Sequence, residues 1–194
     1  MLTVGLLCSR RAPGLEYLLE RRGRDFDLAA VVTTDPASEA LPLLHRAGVP
    51  ALMHDIRAFG SARAVRPAFD AATRDLLAPH RPDVLVLSGY LHIVTAPLLA
   101  AYPQRIINVH DGDLPRYRGL HATRDALRAG EMATCCTVHL VTPEVDDGPI
   151  LARSRQFPVE GRHHYVQREL MMRVAWGPLI EQALAQLSVT AAAA

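Results

Sequence analysis

The chain has 194 residues, 49% of them hydrophobic, and a formal net charge of +1. That is enough apolar material for one domain with a substantial core and too much for a disordered chain. The charge is too balanced to point to nucleic acid or to a membrane surface. The sequence holds no lysine, which excludes a lysine Schiff base and a phosphate-loop lysine. Its cysteines are Cys8, Cys135 and Cys136, an odd set without framework spacing that suits a reducing, cytoplasmic compartment. No Cys-x-x-Cys occurs and His163 and His164 are adjacent, so no metal is expected. The opening apolar run follows no basic segment and stops at Cys8, which reads as a first strand rather than a signal peptide. No stretch reaches the ~20 apolar residues of a membrane helix.

Taken in order, Leu2–Cys8 reads as a buried strand, followed at helical spacing by Leu15, Leu18 and Leu19. Leu28–Thr34 is a second apolar strand, ending at Asp35-Pro36. Leu41, Leu44 and Ala47 mark a helix that stops at Gly48, and Ala51–Met53 is a short strand. Ala64–Ala78 is amphipathic and helical, and Pro79 ends it. Val84–Ser88 is an apolar strand broken at Gly89. Pro97–Tyr102 gives a helical turn or two before the strand that carries Asn108. His121–Ala129 reads as a helix. Thr134–Val141 and Ile150–Val159 read as strands on either side of an acidic loop, and a final helix runs from about Tyr165 to Leu187. Alternating helices and continuous apolar strands predict an α/β fold: a Rossmann-like, mostly parallel sheet with helices on both faces and an antiparallel addition near the C-terminus. Residues 1–189 are expected to form a single domain, with 190–194 a frayed tail.

The chemistry concentrates in Arg105-Ile106-Ile107-Asn108-Val109-His110-Asp111-Gly112-Asp113-Leu114-Pro115. Asn108, the single asparagine of the chain, and His110 are two apart, so a strand projects both to one face. An amide donor can steady a developing oxyanion, an imidazole can move protons, and a carboxylate can hold and charge the imidazole. Acidic candidates are Asp111 and Asp113 beside the histidine and Glu144, Asp146 and Asp147 in the later loop.

Four blocks, Ile107–His110, Leu114–His121, Thr137–Thr142 and Val145–Ile150, recur in the order and spacing of the folate-dependent formyltransferase family. The chain resembles most closely the branch that formylates glycinamide ribonucleotide, and weaker matches extend to about Pro178. The resemblance implies the formyltransferase fold and a co-substrate, 10-formyltetrahydrofolate, whose formyl carbon is attacked by an amine. It assigns Asn108, His110 and Asp146 as the catalytic set, with Asp146 favoured by its place before Gly148-Pro149. A free imidazole titrates at about 6.5, and a neighbouring carboxylate favours its cation. The segment Ser88–Val94 resembles the family's pterin-binding stretch, so Leu91, His92, Ile93 and Val94, with Val141 opposite, are expected to line the folate slot. Arg66 falls where the family places an arginine near the folate tail. His121 and His139 lie in matching blocks and are expected to be structural, and His163-His164 a solvated helix start.

Three departures lie on the acceptor side. The family's glycine-rich, phosphate-gripping turn is replaced by Ser9-Arg10-Arg11-Ala12-Pro13-Gly14, in which Pro13 has no N–H to give. The family's His-Pro-Ser-Leu-Leu-Pro reads His110-Asp111-Gly112-Asp113-Leu114-Pro115. A late Gln-x-x-Glu-His segment is altered, with Arg173 and Val174 at the Glu-His positions. Arg10, Arg11, Asp113 and Arg173 are therefore the candidate acceptor-binding residues. The expected reaction is formyl transfer to a small-molecule primary amine other than the purine precursor. Formylation of glycinamide ribonucleotide, hydrolysis of the formyl folate, and folate binding without catalysis are the alternatives.

Overall fold

The computed structural model describes residues 1–60 and 63–192. Five parallel strands come first: β1 (Leu2–Cys8), β2 (Phe26–Thr33), β3 (Ala51–Met53), β4 (Val84–Leu87) and β5 (Ile106–His110). The helices between them are α1 (Leu15–Arg21), α2 (Ala40–Ala47), α3 (Arg66–Leu77) and α4 (Ala96–Ala101). After β5 come α5 (Ala122–Arg128), β6 (Ala133–Thr134), β7 (Thr137–Leu140), β8 (Ile150–Arg153), β9 (Phe157–Pro158) and α6 (His164–Ala192). The main sheet has seven strands in the order β3-β2-β1-β4-β5-β7-β8, with β7 antiparallel to β5 and β8 antiparallel to β7.

Period-two alternation divides the core between the two faces of this sheet. Val4, Leu6, Val31, Val84 and Val86 pack with Leu15, Leu18, Leu44 and Trp176, under α1, α2 and α6. Leu7, Val32, Leu85 and Leu87 pack with Leu77 and Leu98, under α3 and α4. Both faces are covered, which is why the parallel strands read as continuous apolar runs.

Two expectations differ in detail from the structure. The amphipathic stretch from residue 64 is not helical in one piece: short 3-10 turns at Arg63–Val65 and Ala78–His80 flank α3, where Pro67 and Pro79 interrupt the ladder of donors. The two late strands are each interrupted. Between β6 and β7 the Cys136 N–H donates to Ser154 Oγ at 2.9 Å, and Ser154 N–H donates back to Cys136 O at 3.0 Å. A side-chain bond takes the place of a ladder bond, and the outer halves pair only with each other as the two-stranded β6-β9 sheet. The tail expected to fray, 190–194, includes two residues of traced helix backbone after Thr190, while 193 and 194 lie outside the described residues. No helix among the described residues is long and apolar enough to cross a membrane.

Candidate active site

Parallel sheets bind ligands beyond the carboxyl ends of their strands, and the turns after β1, β4 and β5 meet there. The Ser9 N–H donates to Gly89 O at 3.1 Å, and Ser88 Oγ donates to Pro13 O at 2.6 Å. The last residue of β5 is His110, 5% exposed.

Asn108 and His110 share a face of β5, and antiparallel pairing sets His139 of β7 directly opposite Asn108. Side chains opposite each other in such a pair touch, and Asn108 Nδ2 lies 3.1 Å from His139 Nε2. Asp146 reaches this cluster from the β7–β8 loop. Its Oδ2 is 3.4 Å from His110 Nδ1 and accepts the Gly119 N–H at 2.8 Å. Its Oδ1 is 3.4 Å from His139 Nε2 and accepts from Asn108 Nδ2 at 3.4 Å. The loop is pressed onto the strand before it: a Cβ at Gly148 would stand 1.8 Å from Leu140 O, so only glycine fits. Asp146 itself has φ 53°, a left-handed conformation uncommon outside glycine, held by those four contacts.

Burial would raise the Asp146 carboxyl. The His139 hydrogen bond, the charge of His110 and the Gly119 amide outweigh that and hold it below the ordinary carboxylate range. The His110 ring has an oxygen facing each nitrogen, since Nε2 lies 2.7 Å from Tyr117 O and Nδ1 faces Asp146. That approach is possible because residue 112 is glycine: a Cβ there would stand 2.9 Å from His110 Nε2 and 3.0 Å from Tyr117 O. Of the other four acids, Glu144 is exposed on the cleft wall and three are engaged elsewhere. Asp147 pairs with Arg118, Asp113 lies 3.5 Å from Arg153, and Asp111 pairs with Arg168.

The cluster forms the floor of a cleft of about 320 Å³. One side is Gly89–Val94 and the other Val141–Asp146, so Leu91, His92, Ile93, Val94 and Val141 all line it. Leu91 and Leu120, 60% and 66% exposed, and the half-open Ile93 and Val145 put large apolar side chains at its mouth. Apolar walls, a few convergent polar groups and this size suit a drug-sized heterocycle. Arg66 does not line the cleft. It starts α3, faces Asp70, Tyr90 and His92 electrostatically, and its Nη1 is buried without a hydrogen-bond partner. Among the described residues no group of three or more His, Cys, Asp or Glu could hold a metal ion.

The acceptor-side candidates fall outside the cleft. A second, slightly larger depression of about 360 Å³, between α1, α2 and α6, takes Arg11 and Arg173 and shares no lining residue with the first. Its size does not make it the site of chemistry, because the amide, the imidazoles and the low-titrating carboxylate all lie in the other. Arg11 there gives both Nη groups to Glu169 at 2.7 Å and sits 3.6 Å from Glu39. Arg10 is exposed, and Asp113 is turned toward Arg153 and Arg116. The residues that do line the cleft beside His110 are Asp111 and Arg168. Sequence reasoning passed over Arg168 and gave His139 a structural part. The register of β7 on β5 and the crossing of α6 bring them in, and neither can be read along the chain.

An α/β domain with an amide, two imidazoles and a carboxylate at the carboxyl end of its sheet is the arrangement of a group-transfer enzyme acting on a carbonyl. The formyl transferase family profile matches residues 15–178, and the chain belongs to that family. It is 33% identical over 149 residues to a phosphoribosylglycinamide formyltransferase of Mycobacterium tuberculosis, covering 76% of this chain and 67% of that protein. It is 31% identical over 156 residues to the trifunctional purine biosynthetic protein adenosine-3 of Drosophila melanogaster, covering 78% of this chain but only 11% of that much longer protein. The crystal structure of glycinamide ribonucleotide transformylase 1 from Symbiobacterium toebii superimposes with a TM-score of 0.81 at 34% identity, covering 94% of this chain and 82% of that one.

Proposed function

We propose that the protein transfers the formyl group of 10-formyltetrahydrofolate to the primary amine of a small molecule, and that glycinamide ribonucleotide is the first acceptor to test. The observation that carries the reaction class is the Asn108–His110–Asp146 cluster on the floor of an apolar-mouthed cleft. The names of the relatives favour the purine precursor over the other amine expected from sequence. A cytoplasmic setting fits three buried free cysteines.

The residues divide the work by their chemistry. The amine attacks the formyl carbon, the carbonyl oxygen gains negative charge, and the bond from that carbon to the folate nitrogen then breaks. Asn108 Nδ2–H donates to the charged oxygen, and so does the His110 Nε2–H once it turns from Tyr117 O to the substrate; one such donor is worth about 2.7–4 kcal/mol of barrier. His110 also delivers a proton to the departing nitrogen and is reprotonated by the one the attacking amine gives up, so the proton count balances. Asp146, ionised near neutrality, holds the His110 ring and stabilises its charge. Leu91, Ile93, Val94 and Val141 bind the flat pterin by apolar contact. His92 supports that wall. Arg66, expected beside the folate tail, lies outside this cleft with its Nη1 buried, and takes no part in the binding proposed here.

A second reading, transfer to a different amine, rests on the β1–α1 turn. Pro13 supplies no N–H, and Arg11 is already held by Glu169 and Glu39. Complementation of a strain lacking its glycinamide ribonucleotide formyltransferases separates the two. Growth without added purine supports the first reading. Failure to grow, together with formyl transfer by the purified protein to another amine, supports the second. Absence of deformylated folate with every amine offered refutes both.

A further inference from the structure

The Asp111–Arg168 pair does not behave as a structural ion pair. Asp111 is 7% exposed, its carbonyl accepts from Thr123 Oγ1 at 2.6 Å, and its Oδ2 accepts from Arg168 Nε. A buried ion pair kept for stability satisfies its remaining donors. Here the two Nη groups of Arg168 make no hydrogen bond to the described residues, and the side chain remains 35% exposed on the wall of the catalytic cleft. The guanidinium is fixed at one nitrogen and free at the two that form a fork. A fork so fixed matches the paired oxygens of a carboxylate or phosphate.

The sequence context agrees. Asp111 stands where the family has proline, next to His110, and its carboxylate is what orients Arg168. The turn after β1, where a phosphate would be gripped by backbone amides, keeps only Gly14 of its glycines, and its Arg11 is paired with Glu169. Anion recognition has been lost at one place and a preoriented cation has been gained at another, inside the cleft.

We infer that Arg168, oriented by Asp111, is the specificity-determining residue that binds the anionic group of the amine acceptor, a phosphate or a carboxylate. The acceptor is then a primary amine that carries an anion, docked with the anion on α6 and the amine toward His110. This rests on the amine-acceptor reading given under Proposed function.

The test measures binding, so that it does not depend on turnover. With the protein saturated in tetrahydrofolate, isothermal titration compares glycinamide ribonucleotide (phosphate), glycine (carboxylate) and glycinamide (the same amine without an anion). At least one anionic probe is expected to bind tenfold or more tightly than glycinamide, and which one identifies the anion. Arg168→Gln is expected to erase that preference while tetrahydrofolate affinity stays within twofold, with Arg168→Lys intermediate because it keeps charge without the fork. The double variant Asp111→Asn/Arg168→Gln, which leaves no buried unpaired carboxylate, should lose the preference equally and covers the case in which the single variant fails to fold. The inference is overturned if the wild type shows no preference for either anion, if the preference survives loss of Arg168, or if Arg11→Gln abolishes it instead. An Arg168-dependent preference without formyl transfer to any amine would sink the transferase reading and leave the anion site standing.

Discussion

Replacing Asp146 by asparagine removes one charge and almost no volume. With the amide oxygen at the Oδ2 position the Gly119 N–H keeps its acceptor, and the new NH2 then faces the Asn108 amide, donor against donor. A cationic His110 ring loses a partner 3.4 Å away. Two unit charges at that separation attract by about 5 kcal/mol at an effective dielectric of about 20. Solvent and neighbouring dipoles recover part of this, leaving about 3–4 kcal/mol, or a fall in turnover of about 10²–10³-fold. Formyl transfer is followed in single turnovers by the absorbance of the deformylated folate, with tetrahydrofolate affinity measured in parallel and expected within threefold of wild type. Turnover within threefold of wild type, with folate binding intact, would refute the role given to this carboxylate. The same variant has a pH signature. The folded Asp146 carboxyl lies below its ordinary value of about 3.9, so its contribution to stability is complete above that pH and is lost as the pH falls through the folded value. The melting temperature of the wild type should therefore fall more steeply below about pH 4 than that of Asp146→Asn.

Three further outcomes follow from the structure. Gly148→Ala sets a methyl against Leu140 O and forces the Asp146 loop off β7; it should cost about 3 kcal/mol or more, a drop of about 6–12 °C in melting temperature by calorimetry. Glu169→Gln breaks the bidentate pair with Arg11, but both side chains are about half exposed, so the loss should stay within about 1 kcal/mol by denaturant titration. Burial pushes the Cys8 and Cys135 thiols up to about 11 and raises Cys136 as well, so a thiol reagent at pH 8 should label almost none of the three until denaturant is added.

How much was legible along the chain depended on how local the signal was. Leu2–Cys8 and the Asn108 strand stand out because a strand buried on both faces must be apolar at consecutive positions, and the helix ending at Gly48 because glycine stops it. The facing of Asn108 and His110 follows from strand period alone. The breaks at Cys135–Cys136 and Ser154–Gln156 were invisible, because they arise where two strands pair with each other instead of with the main sheet.

For the site, the sequence by itself determined the reactive groups, through side-chain chemistry and the spacing of motifs that local geometry enforces. Side-chain chemistry alone left five nearby acids open as partners of His110, and only the family resemblance singled out Asp146; nothing along the chain said that His139 would stand against Asn108, or that Arg168 instead of Arg11 would reach the cleft. Those are questions of strand register, of where a loop with a left-handed aspartate folds back, and of how the last helix crosses the sheet. Each is settled by contacts between residues dozens of positions apart, whose side chains carry the same charges whether they meet or not.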